Sequence, residues 1–246
     1  MKGIILAGNP GNNRLGDLIL GVPKQLLPLY DKPMVYYPIY TLTQANIKDI
    51  LIITSVQNMP VFNRALGDGS KFGARFSYAI QDSTKGIAQS IAIGRPFIGK
   101  DNFCLITGDT IIVGDSFQQQ LRKAISAAEK SANATIFVAN DADKEQYGKA
   151  LVNSEKKISA IVGDSENNNY FSITGVYVYP NNVLKEVEKI TLSERGMYEI
   201  TSVNEVFYKN DKLQIQRLTP DCVWLDVNTP QTLLDSSIFV KKQQNL

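Results

Sequence analysis

The 246-residue chain predicts an α/β fold, a mostly parallel sheet flanked by helices. Three observations carry that expectation. Apolar runs of strand length, rich in β-branched residues, recur through the first half of the chain. Helical stretches separate them, and strands spaced by helices imply right-handed βαβ crossovers. The first run, Gly3-Ile-Ile-Leu-Ala7, empties at once into a Gly/Asn loop, Gly8-Asn-Pro-Gly-Asn-Asn13, with the cations Arg14 and Lys24 behind it.

In order, strands are expected over 2–7, 49–54, 75–80, 102–107 and 134–139. The intervening helices are expected over 38–46, where Pro38 suits a first turn, then 61–66, 86–93 and 117–130. Gly67-Asp-Gly69 breaks the second of these. The later part reads differently: 149–153, 157–162 and 171–179 resemble strands of an antiparallel excursion, with a polar loop over 164–169. Helices over 180–189 and 202–209, a strand over 212–218 and a closing helix over 230–241 complete the chain. Without linker, repeat or low-complexity tract, residues 1–246 form one domain. Its parts are a core (1–140), an embedded lid-like part (141–225) and a closing segment (226–246).

Composition narrows the chemistry. Hydrophobic residues make up 43% and charged residues 20%, so a full core is expected. A net charge of +2 is too balanced to argue for nucleic acid or a membrane surface. No apolar stretch reaches transmembrane length and no signal peptide is evident, so a cytoplasmic protein is the default. Cys104 lies in an apolar run and reads as a buried free thiol, far from Cys222. Histidine is absent. Catalysis therefore falls to carboxylates, Lys, Arg, Tyr or a metal held by oxygen ligands.

In an open parallel sheet, ligands sit beyond the carboxyl ends of the strands. The loops after Ala7 and Thr107 are the places to look. Gly8 and Gly11 let a backbone approach a ligand closely, and N–H groups converging there suit phosphate as well as an ordinary turn. Asp109, in Thr107-Gly-Asp-Thr110, ends one strand, and Asp226, in Trp224-Leu-Asp226, ends another apolar run. Two such carboxylates beside a phosphate loop suit Mg²⁺; either also serves as a cap or turn residue.

Several segments together are specific. Lys24-Gln-Leu-Leu-Pro-Leu-Tyr-Asp-Lys-Pro-Met34, Tyr36-Tyr-Pro38, Leu66-Gly-Asp-Gly-Ser70, Gly86-Ile-Ala-Gln89, Gly108-Asp109, Tyr147-Gly148, Thr174-Gly175, Glu199-Ile-Thr201 and Trp224-Leu-Asp226 resemble the sugar nucleotidyltransferases. The likeness is greatest to the glucose-1-phosphate thymidylyltransferases and runs through nearly the whole chain. It implies a Rossmann-like core of the nucleotide-diphospho-sugar transferase type with an antiparallel sugar-binding insertion. The implied reaction is attack of a sugar 1-phosphate on the α-phosphorus of dTTP or UTP, releasing pyrophosphate. Arg14 and Lys24 would then bind the phosphates, and Asp109 and Asp226 would hold Mg²⁺. Gln25 and Gln81 would bond the base edge, thymidine before uridine, with Gly86 packing on the base. Tyr147, Gly148, Thr174 and Tyr177 would line the sugar side and Arg195 would approach its phosphate, although Tyr177 also fits a core position. A homo-oligomer is the expected assembly.

The chain departs from that pattern at several points. Its loop is Gly8-Asn-Pro-Gly-Asn-Asn-Arg-Leu15 where the family has Gly-Gly-Ser-Gly-Thr-Arg-Leu, and Pro10 removes a backbone donor. Lys85 stands where the family has Asp, and Asn228 where it has Gly. Val162-Gly163-Asp164 stands where it has Glu-Lys-Pro, a Glu for the sugar and a Lys for its phosphate. These changes keep two other readings open beside an active transferase: a weak or inactive relative that binds nucleotide as a regulator or partner subunit, and a module that retains only the fold.

Overall fold

The computed structural model describes residues 1–8, 14–81, 85–140, 148–152, 158–162, 170–225 and 227–244, with the backbone alone for 152, 158–162 and 244. The strands are β1 (Lys2–Leu6), β2 (Pro28–Leu29), β3 (Lys32–Pro33), β4 (Asp49–Thr54), β5 (Arg75–Ile80), β6 (Phe103–Thr107), β7 (Ile111–Val113), β8 (Ala134–Ala139), β9 (Lys149–Val152), β10 (Ile158–Val162), β11 (Tyr170–Tyr179), β12 (Leu213–Arg217) and β13 (Val223–Leu225). The helices are α1 (Tyr36–Gln44), α2 (Met59–Leu66), α3 (Ile87–Ile98), α4 (Ser116–Ser131), α5 (Val183–Val187), α6 (Ile200–Lys209) and α7 (Pro230–Gln244).

One sheet carries the molecule, in the order β10-β9-β11-β6-β1-β4-β5, with β8 on β11 and β12 on β8. β6, β1, β4 and β5 are mutually parallel, as the βαβ spacing predicts. β11 is the junction: it runs antiparallel to β6 over Val176–Tyr179 and to β9 over Tyr170–Ser172. The antiparallel excursion is thus continuous with the main sheet.

Each face of the sheet has its own helix layer, because alternate residues of a strand point to opposite sides. Ile4, Leu105 and Ile136 meet α3, α5 and α6 through Ile91, Leu184 and Phe207. Ile5, Ile106 and Phe137 meet α1, α2 and α4 through Leu42, Phe62 and Leu121. Buried positions of α4 recur at Phe117, Leu121, Ala124 and Ala128, one stripe of an amphipathic helix. A third apolar cluster joins Leu15, Leu27, Leu29 and Met34 to Ile111, Leu225, Val227 and Val240. That cluster packs α7 against the segment containing Lys24.

Some elements differ from expectation. Helix α3 reaches Ile98 instead of ending at 93, because Gly94 and Pro96 act differently from helix breakers here. A Cβ at Gly94 would sit 2.8 Å from Ile4 Cδ1, so the glycine permits close packing on β1. Pro96 falls in the last turn, where only one carbonyl loses its donor. Strands β7 and β13 escape sequence reading because three-residue strands show no periodicity, and among the described residues they pair only with each other. Cys104 is fully buried and free, as expected, and burial pushes its thiol pKa up.

The Tyr179 hydroxyl donates to Asn204 Oδ1 at 2.5 Å between β11 and α6, with both residues fully buried. Tyr179→Phe leaves that carbonyl without its donor and should lower the unfolding free energy by about 1–3 kcal/mol in urea titrations; an unchanged midpoint would contradict a load on this bond.

Candidate active site

Lys24 and Gln25 open a 3-10 turn (Lys24–Leu26) after Pro23, and the next residues fold back through β2 and β3. The turn is closed by Met34 N–H on the Leu27 carbonyl and Val35 N–H on the Gln25 carbonyl. Leu27, Leu29 and Met34 anchor it in the third apolar cluster. As a result a lysine and a glutamine, 6% and 4% exposed, are held beside the carboxyl ends of β1 and β6.

Asp109 reaches the same place from the turn between β6 and β7, where Gly108 N–H bonds the Leu6 carbonyl and Thr110 N–H the Thr107 carbonyl. Lys24 Nζ donates to Asp109 Oδ2 at 2.7 Å and to Asn228 Oδ1 at 2.5 Å. Asn228 sits between β13 and α7, its N–H bonded to Thr232 Oγ1 in the turn that starts the helix. Burial is the largest single influence on the Asp109 carboxyl and pushes its pKa up, but the charge and hydrogen bond of Lys24, with hydrogen bonds from Thr107 and the backbone, together hold it below the ordinary value. A carboxylate and an ammonium are thereby fixed at the mouth of the parallel sheet.

The nucleotide-side candidates form a second group. Gly8 has φ +140°, and a Cβ there would collide with Thr54 Oγ1, so the chain passes directly over the end of β4. Gln25 lies across Gly108, whose absent Cβ would be 3.0 Å from Gln25 Cγ. Gln81 is 4% exposed, and its Nε2 donates to the Gly86 carbonyl at 3.2 Å and to Gln89 Oε1 at 2.7 Å. Gln89 Oε1 also accepts the Lys85 backbone N–H at 3.1 Å. A backbone N–H donates only, so Gln89 must present oxygen there and Gln81 must present nitrogen to Gln89. Gly86 has φ +91°, and any Cβ would strike the Tyr198 carbonyl.

The sugar-side expectations fare unevenly. The Gly148 carbonyl accepts Ile173 N–H at 2.7 Å and stays partly exposed. Thr174 is fully buried with its hydroxyl on the Phe137 carbonyl, and Tyr177 is 3% exposed, 6.0 Å from the Tyr179 ring in a parallel stack. Both are core residues rather than lining residues, because β11 runs through the middle of a sheet covered on both faces. Arg195 is exposed and bonds Glu199 Oε1 at 3.1 Å. Arg14 is exposed at the end of the first loop. Gly11, Tyr147 and Asp226 lie outside the described residues. Among the described residues, no three acidic, Cys or His side chains group as a metal site.

Sequence reasoning misses the roles of Asn228 and Gln89. Asn228 registers only as a substitution ahead of a helix, and Gln89 only as the end of the Gly86-Ile-Ala-Gln89 segment, since its link to Gln81 depends on the turn between β5 and α3.

Residues 2–243 match the family model described as nucleotidyl transferase. The chain is similar to glucose-1-phosphate thymidylyltransferase of Neisseria meningitidis, 40% identical over all of this chain and 84% of the relative. The Mycolicibacterium smegmatis protein of that name is also 40% identical, over 98% of this chain and 82% of the relative. Among solved structures, a Bacillus anthracis protein described as a glucose-1-phosphate thymidylyltransferase, in complex with a sucrose, superposes with a TM-score of 0.87 and 31% identity over 97% of this chain and 94% of its own. A UDP-glucose pyrophosphorylase complexed with UDP-glucose shares the fold, at TM-score 0.83 and 18% identity, over 98% of each chain.

Asp109→Asn removes the anionic partner of a buried ammonium and should cost about 1–3 kcal/mol near neutral pH, read by urea unfolding. A carboxyl held below its ordinary 3.8 adds stability above that pH and loses it as the pH falls through the lower folded-state value. The gap between wild type and variant should therefore close on acidification below 3.8; a gap independent of pH would contradict the ion pair.

Proposed function

Because the chain belongs to the nucleotidyl transferase family, we propose that it transfers a nucleotidyl group from dTTP or UTP to a sugar 1-phosphate. An oxygen of the sugar phosphate attacks the α-phosphorus, the bond to the β-phosphate oxygen breaks, and pyrophosphate leaves. The observation that carries the proposal is the placement of Lys24 and Asp109 together at the carboxyl ends of the parallel strands. Such a displacement is governed by positioning and charge neutralisation, with no covalent intermediate on the protein.

Each residue then has a defined task. Lys24 has three N–H donors, of which Asp109 and Asn228 take two among the described residues, and the third would serve a phosphate oxygen. Arg14 adds a second cation on the loop side. Asp109, with Asp226, would hold Mg²⁺, an ion that takes one or two carboxylates and completes its shell with phosphates and water. The described carboxylate fits, since Lys24 occupies only part of the acceptor capacity of Asp109. When bound, the ion would neutralise charge on the phosphates.

Base choice follows from Gln81. Both hydrogens of its amide nitrogen are engaged by Gly86 and Gln89, so its oxygen is the group left for the base edge. An acceptor pairs with the imino N–H of thymine or uracil and not with the bare N3 of cytosine. The alternative, a relative that binds nucleotide without turnover, draws support from Val162-Gly163, where the resemblance expects an acidic and a basic residue.

Pyrophosphate release measured with Mg²⁺, dTTP or UTP and a panel of sugar 1-phosphates should depend on the sugar and fall by at least about 100-fold in Asp109→Asn, the scale of a lost electrostatic contact in a water-poor site. Nucleotide binding without release in the wild type would instead favour the non-catalytic reading. In the same assay dTTP and UTP should exceed CTP by about 10-fold or more, one good hydrogen bond, and Gln81→Leu should erase that preference. Asn228→Gly should raise the KM for the triphosphate several-fold while leaving the sugar KM alone; equal effects on both would argue against a role through Lys24.

A further inference from the structure

We propose that Thr107 and Thr110 are positioning residues for the reaction, two hydroxyls in series that orient the Asp109 carboxylate opposite Lys24. The inference rests on the nucleotidyl-transfer reading above and deepens it. Thr107 is the last residue of β6, and Thr110 follows Asp109 in the turn to β7. Their hydroxyl oxygens are 2.6 Å apart, a hydrogen bond in which either could donate. The carboxylate decides the direction. Thr107 also hydrogen-bonds the Asp109 carboxyl through its side chain, and an ionised carboxyl only accepts. A hydroxyl has one hydrogen, so Thr107 donates to Asp109 and accepts from Thr110. Bonds in series polarise one another, which strengthens the last one, to the charged group.

The neighbouring strand leaves room for this pair. Alternation along β6 turns Thr107 to the face of Phe103 and Leu105, where another apolar side chain would continue the pattern. Val176 of β11 is in register with Ile106, which brings Gly175 opposite Thr107. A Cβ at Gly175 would collide with both Thr107 Oγ1 and Thr110 Oγ1. Gly175 is not among the glycines of positive φ, so its lack of a side chain serves space and not backbone conformation. The space goes to the two hydroxyls. The terminal torsion of an aspartate is broad, so its partners must set the plane of the carboxylate. Lys24 holds Oδ2 from the turn after Pro23, and Thr107 holds the group from β6. The part of Asp109 that stays open, 27% of the side chain, is thereby aimed before an ion or phosphate arrives.

Calorimetry of dTTP binding to the full chain, with Mg²⁺ or with EDTA in its place, tests this beside pyrophosphate release. Mg²⁺ should tighten binding to the wild type. Thr107→Val keeps the side-chain shape without the hydroxyl. It should weaken dTTP binding in Mg²⁺ about 10-fold, the scale of one hydrogen bond to a charged group, and leave binding in EDTA unchanged. Thr107→Ser, which keeps the hydroxyl and loses the methyl group, should match the wild type. Thr110→Val should show the same pattern at about threefold, an indirect contact. Where the valine variant does not fold, Thr107→Ala against Thr107→Ser isolates the same hydroxyl. In an Asp109→Asn background Thr107→Val should add nothing, because no carboxylate is left to orient. Three results assign the threonines to packing and overturn the inference: Thr107→Ser as damaging as Thr107→Val, equal losses in Mg²⁺ and EDTA, or a further loss in the Asp109→Asn background. Wild-type binding that ignores Mg²⁺ overturns it as well. Pyrophosphate release is scored separately. Wild-type turnover in Thr107→Val leaves the transferase reading intact and removes this one; Mg²⁺-dependent binding that needs Thr107, without turnover, does the reverse.

Discussion

An ammonium group with 6% of its side chain exposed must find acceptors inside the protein, and Lys24 finds two, 85 and 204 residues away in the chain. Three segments that share no local structure are thereby required to converge: the turn after Pro23, the β6–β7 turn and the start of α7. Desolvating an ion pair costs as much as the attraction returns unless its geometry is good, so such a pair contributes little to stability by itself. Apolar packing next to it supplies the stability. Leu27, Leu29 and Met34 flank Lys24 in sequence, Leu225 and Val227 flank Asp226, and all five lie in one cluster with Ile111. The cluster holds the charges in place at the end of the sheet, and α7 covers it through Val240.

The arrangement suits a reaction in which the protein has little covalent work. Transfer of a nucleotidyl group needs fixed donors around phosphates and a carboxylate for a divalent ion, and neither demands histidine, which this chain lacks. Donors held by the fold before substrate arrives need no reorganisation in the transition state. The Lys24 ammonium, bonded to Asp109 and Asn228, is held by the fold in this way.

Strands with strong local signals were legible in the sequence: 49–54, 75–80 and 134–139 coincide with β4, β5 and β8. They are continuous apolar or alternating runs, and the pattern alone fixes them. β7 and β13 were not legible, because their pairing joins residues more than 100 positions apart and each is only three residues long. Lys24 and Asp109 were legible as separate candidates, one behind a Gly/Asn loop and one at a strand's carboxyl end; spacing gives no reason for them to meet, and only the resemblance put them in one site. Thr174 and Tyr177 were expected on the sugar side, with the core left open for Tyr177, and the structure buries both. A motif marks a strand without saying which of its side chains the sheet buries, and β11 has neighbours on both edges and helices on both faces.

The departures from the family pattern are not equivalent once the geometry is known. Lys85 reverses a charge, yet the site uses only its backbone: its N–H bonds Gln89 Oε1 and its carbonyl accepts Tyr198 N–H, while the side chain is exposed. Any non-proline residue supplies those two groups, so the base-side network of Gln81, Gly86 and Gln89 is indifferent to the sign of the charge. Asn228 acts in the opposite sense. Where a glycine would offer no side-chain acceptor, its amide oxygen gives Lys24 a second partner beside Asp109. One substitution is electrostatically peripheral and the other strengthens the central contact. Neither removes the described contact of Lys24 with Asp109, whereas Val162, at another departure from the pattern, stands in register with Lys149 on β9.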